Sequence, residues 1–129
     1  MATCDEMSSD ALRSAAILLH NEHFRSSVSR AYYAANSAIT SKLNEKKISF
    51  SHGWNNPGHD QLEKLVINHL TLSRNQRYTI RKSIVMLRTS RENADYRSHV
   101  TINKAVAVEA SILSNRIITL LKVVTDDNR

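Results

Sequence analysis

Two glycines and one proline are all that 129 residues contain, and the three sit together in HGWNNPGHD, residues 52–60. Glycine and proline interrupt regular structure more strongly than any other residues, so the segments on either side are free to run as long elements. Those segments show no strand-like alternation; their apolar residues return every three or four positions instead. The chain therefore reads as all-α. It is expected to be an antiparallel up-and-down bundle of four to five helices in one domain covering 1–129, with a core from about 8 to 124 and a connecting loop at 47–58.

The stripes place the helices. Ser8, Ser9 and Asp10 offer N-caps for a first helix whose apolar positions are Leu12, Ala15, Ala16 and Leu19, with a break expected at Asn21–His23. A second helix carries Val28, Ala31, Tyr32, Ala35, Ala38, Ile39 and Leu43, and its alanines let a neighbour approach closely. A third is expected from His59 or Asp60, with Leu62, Leu65, Val66 and Leu70 inward. A fourth covers Arg74 to Tyr96 with Ile80, Ile84, Leu87, Arg91 and Ala94 or Asp95 on one face. A fifth runs from about Thr101 to Val124 and carries Ile102, Ala105, Val106, Ile112, Leu113, Ile117, Leu120, Leu121 and Val124. Stripes this long leave surplus apolar surface, which a homodimer would bury.

The net charge of +6 favours anionic partners such as RNA or nucleotides, although no run of Lys and Arg reads as a basic tail. Cys4 is the lone cysteine, so neither an intramolecular disulfide nor a cysteine-based zinc site is expected. MATCDEMSSD has no signal-peptide pattern and no apolar run reaches membrane-spanning length, so the expectation is a cytoplasmic protein without membrane association. His52 and His59 flank a loop bearing Trp54, but two histidines without a third ligand point to capping and packing. No metal and no cofactor is expected.

Two segments carry a family resemblance. SVSRAYYAANSAI, residues 27–39, and LRTSRENADY, residues 87–96, resemble the paired signatures of HEPN domains, particularly the small stand-alone kind, and His59 stands where such proteins often carry a histidine. The resemblance spans about residues 8 to 124. It implies a helical bundle, usually dimeric. It also implies either a metal-independent endoribonuclease, as in toxins paired with a nucleotidyltransferase antitoxin or in antiviral defence systems, or a non-catalytic module that binds nucleotide, RNA or a partner protein. The family's catalytic hallmark is an arginine followed by a histidine after four to six intervening residues. The chemistry suits these residues, because a histidine titrates near neutrality and can move the ribose 2′-hydroxyl proton, while arginine stabilises the charged phosphate.

Set against that hallmark, Arg91 is in place and His99 is the candidate catalytic partner, but seven residues separate them, outside the family spacing, and Tyr96 stands where the histidine is expected. On one unbroken helix they would sit about 80° and 12 Å apart, so a helix break near Tyr96 or a second subunit would have to bring them together. Arg88, Tyr96 and Arg97 are candidate substrate contacts. Arg91 is open to a phosphate contact or a structural ion pair, and His99 to catalysis or an exposed helix end. Arg30 and Asp95 are expected to form a buried ion pair tying the second helix to the fourth. Tyr32 and Tyr33 are expected to pack with their hydroxyls satisfied. Arg13–His20 matches the hallmark spacing by chance, in the first helix.

Overall fold

The computed structural model describes residues 4–45 and 72–127. Among them are four helices: α1 (Cys4–His20), α2 (Phe24–Glu45), α3 (Arg74–Tyr96) and α4 (Lys104–Asp127). The 47–58 connection and the helix expected from His59 or Asp60 lie outside the described residues.

Helix α2 is the centre of the bundle and packs against the other three. Its inward stripe is the expected one: Val28, Ala31, Tyr32, Ala35, Ala38, Ile39 and Leu43 are all buried. Two hydroxyls fasten α1 to it. Ser27 donates to the Ala15 carbonyl and Ser8 to the Ala34 carbonyl, each at 2.7 Å. Ser8 is thus no N-cap. Helix α1 already begins at Cys4, and Ser8 lies buried within it, where a carbonyl on α2 satisfies the hydroxyl.

Helix α3 starts and stops where expected. Ser73 and Gln76 form a reciprocal capping box, with the Gln76 amide donating to the Ser73 hydroxyl and the Ser73 amide donating to the Gln76 side chain. At the far end Arg97 leaves helical geometry while its amide still donates to the Asn93 carbonyl. Helix α4 begins three residues later than Thr101, because the Asn103 side chain accepts from the Val106 amide and caps the helix there. Its buried face also differs from the expected one. Ala107, Ala110, Leu113, Ser114, Ile117 and Leu121 point inward, whereas Ile112 is exposed. Small residues at 107, 110 and 114 permit a closer helix approach than a face centred on Ile112 would allow.

The expected break between α1 and α2 falls at Asn21–His23. The Glu22 amide donates to the Leu19 carbonyl and the His23 amide to the Leu18 carbonyl, closing the end of α1. That closure needs a left-handed residue, and Glu22 supplies it at φ 63°. Glycine fits this geometry without a Cβ clash. Glu22→Gly should therefore raise stability by about 1 kcal/mol in urea unfolding, with helix content unchanged.

The short α1–α2 turn makes those helices antiparallel. Contacts from the start of α2 to the end of α3 set α3 antiparallel to α2, and the 97–103 connection returns α4 in the direction of α2. The end of α1, the start of α2 and the end of α3 consequently meet at one end of the bundle.

Candidate functional site

At that end Arg91 is buried, with 7% of its surface exposed. It lies on the inward stripe of α3, one turn beyond Leu87, so the helix period carries a guanidinium into apolar surroundings. Three tyrosines receive it. Its Cζ is 5.0 Å from the ring centre of Tyr96, 5.3 Å from that of Tyr32 and 5.9 Å from that of Tyr33. Its Nε donates to Asp95 Oδ2 at 2.9 Å and its Nη2 to the Tyr96 hydroxyl at 3.1 Å. Burial opposes the charge, but a hydrogen bond with Tyr33 and the fields of Tyr96, Tyr33 and Asp95 outweigh it and raise the pKa above arginine's ordinary value. The guanidinium is held charged inside the bundle.

The expected Arg30–Asp95 pair does not form. Asp95 lies one helical turn from Arg91 on the same helix and pairs with it, and it also accepts from the Ser29 hydroxyl at 3.3 Å. That hydroxyl is the side-chain link from α2 to the Asp95 carboxylate, in place of Arg30. Arg30 is exposed and lines a cleft of about 640 Å³ together with Arg25, Ser26, Ser29, Tyr33 and Asp95. Tyr32 packs as expected, buried in the core, whereas Tyr33 is 44% exposed.

Helix α3 does break after Tyr96, one of the two alternatives that could bring His99 towards Arg91. Residues 97–100 turn away from α3, and the Val100 amide donates to the Arg97 carbonyl. His99 and Arg97 are exposed on this turn, with Arg97 Nη1 donating to Asn93 Oδ1 at 2.8 Å. Tyr96 is 70% exposed although its hydroxyl meets Arg91, and Arg88 is half-buried on α3. The structure thus gathers Arg91, Asp95 and Tyr96 into one cluster, while Arg97 and His99 stand on the adjoining turn. Arg13 pairs with Asp10 on the exposed face of α1, as an ordinary surface arginine does. Among the described residues, no group of His, Cys, Asp and Glu could hold a metal ion, and no helix is long and apolar enough to cross a membrane.

Arg25 is the residue that sequence reasoning missed. From the first turn of α2 it donates to the carbonyls of Asn93 and Ala94, both at 3.0 Å, of Arg97 and Ser98, both at 3.3 Å, and of Val100. One signal was available. The first turn of α2 has no acidic residue, yet it carries an arginine at the helix end whose dipole disfavours a cation. The same pattern opens α3 at Arg74 and α4 at Lys104, so it does not by itself single out Arg25.

A model of the HEPN domain matches residues 4–124, nearly the whole chain. The protein belongs to the HEPN family. Comparison with curated proteins and with solved structures gives no match. A HEPN domain implies, in general terms, a ribonuclease or a nucleotide-binding module.

Two measurements test this cluster. Asp95→Ala should lower stability by about 2 kcal/mol, less than for a fully buried pair because Asp95 faces solvent on one side. The second concerns Tyr32, whose pKa is raised, chiefly by burial, against the opposing effects of its hydrogen bond with Asn36 and of the Arg91 and Arg88 charges. The folded state therefore keeps this proton to higher pH than the unfolded chain does. Its stabilising contribution is complete below the ordinary tyrosine range near 10 and is lost as pH rises through the folded value. Between about pH 9 and 11, Tyr32→Phe should lose less stability than the wild type in parallel denaturant titrations.

Proposed function

We propose that the chain is an RNA-directed HEPN protein that grips a single strand at the end of α3. The observation that carries this reading is the ring of exposed groups around that end: Arg30 and Tyr33 from α2, Tyr96 at the close of α3, and Arg97 and His99 on the turn. Guanidinium groups attract phosphates, tyrosine faces stack on bases without regard to sequence, and the net charge of +6 draws in a polyanion. Arg91 underlies the ring. Its donors already serve Asp95, Tyr96 and Tyr33, so phosphate contact within one chain falls first to Arg30 and Arg97.

Cleavage is the further step in this reading. His99 would take the proton of a ribose 2′-hydroxyl or protonate the leaving oxygen, a neighbouring arginine would hold the phosphate, and a second protomer would complete the cleft. Met7, Ile17, Tyr78, Met86 and Ile112 are exposed and supply apolar surface for a homodimer. In the cytoplasm, such a protein would work as a toxin held by a nucleotidyltransferase antitoxin or as a component of antiviral defence. The commitment of Arg91 to Asp95 and the tyrosines favours a second reading, a non-catalytic module that binds RNA, nucleotide or a partner protein as a regulatory subunit.

Labelled single-stranded RNA incubated with the protein in EDTA separates these readings. Arg30→Ala and Arg97→Ala should each weaken binding roughly tenfold at low salt. Cleavage that His99→Ala abolishes while binding persists supports the nuclease, and binding without cleavage supports the module. RNA left both unbound and intact would sink the proposal.

A further inference from the structure

The proposed RNA site lies at the wrong end of a helix. Helix α3 is 23 residues long, and its C-terminal end presents outward carbonyls and about half a negative charge. Its last turn contains no basic residue to offset this. Arg91 already pairs with the Asp95 carboxylate on this rim, so the closing carbonyls of the helix are the negative charge left to offset.

We propose that Arg25 inverts the polarity of this end and is the positioning residue of the RNA site. The inference rests on the functional reading above. The Arg25 guanidinium lies on the Asn93 and Ala94 carbonyls, two of the last four of α3, and covers the negative end with a cation. The same fork donates to the carbonyls of Arg97, Ser98 and Val100. Those three residues bracket His99, so the turn bearing His99 and Arg97 is held from a helix 68 to 75 residues away in sequence. The two effects come from different properties of one side chain. Its charge reverses the local field, and its planar fork reaches several carbonyls at once, which a lysine ammonium on a flexible stem does not reproduce. Arg25 also lines the cleft with Ser26, Ser29 and Arg30, so its charge acts where a strand would lie. The start of α2 contributes its own positive dipole end there, with no acidic residue in its first turn.

Arg25→Gln and Arg25→Lys separate these properties. Each variant would be titrated with a labelled single-stranded RNA at low and high salt, and amide exchange would be followed at Arg97 and Val100, whose amides donate to the Asn93 and Arg97 carbonyls that Arg25 also holds. Arg25→Gln should bind roughly tenfold more weakly at low salt, with the deficit shrinking as salt screens the field. Exchange at Arg97 and Val100 should quicken while that of Ile39 and Ile117 in the core stays slow. Arg25→Lys should recover much of the affinity but not the amide protection. Wild-type affinity in Arg25→Gln, or a loss of protection that extends equally to Ile39 and Ile117, would overturn the inference. If the wild-type protein binds no RNA at any salt, the functional reading fails and exchange alone decides. Faster exchange confined to the turn would then uphold the hold of Arg25 on it, and unchanged exchange would overturn it.

Discussion

A guanidinium buried in a helical bundle must be neutralised and hydrogen-bonded where it lies, and much of this end of the molecule follows from that requirement. Arg91 reaches the interior because the period of α3 carries it there. Once inside, its charge demands a carboxylate, which Asp95 supplies from one turn onward at 2.9 Å. Its flat faces demand polarisable surface, which Tyr32, Tyr33 and Tyr96 supply. These partners come from both α2 and α3, so the charge fixes how the two helices meet. Arg91 is buried while Asp95 keeps one side to solvent, so their pairing constrains geometry more than it adds net stability.

The same end of the bundle shows how helix termini are managed. Glu22 closes α1 in a left-handed conformation, and Arg25, three residues on, reaches across to the carbonyls that end α3. The α1–α2 turn therefore does more than reverse the chain. It sets the position from which one arginine can satisfy the end of a distant helix and hold the turn that follows. The negative end of one helix is covered because a neighbouring helix lends it a cation.

Much of this was legible in the sequence, for a local reason. The stripe of α2, the limits of α3 and the break after His20 depend on neighbours within a few positions, and caps or periodicity report them directly. The residues of the two HEPN signatures were legible too, although the bond expected between them was not. Arg30 and Asp95 were paired because each stood out as a charge on an apolar stripe. Asp95 instead found Arg91 four residues away on its own helix, where the partner is in place as soon as the helix forms. Ser8 and Ile112 were misjudged for a related reason. Both lie on stripes whose facing neighbour, not their own periodicity, decides which side is inward.

By itself, the sequence determined that this chain is a HEPN-family helical bundle, which residues of α2 face inward, where α3 begins and ends, and that Arg91 would lie on an inward face. These follow from hydrophobic period, capping chemistry and the scarcity of glycine and proline. Only the tertiary structure decided that Arg91 is enclosed by three tyrosines, that Ser29 rather than Arg30 answers Asp95, and that Arg25 ties down the turn carrying His99. Each of those contacts except that of Arg91 with Tyr96 joins residues far apart in the chain. Their choice depends on the rotation and closeness of packed helices, which no local pattern specifies.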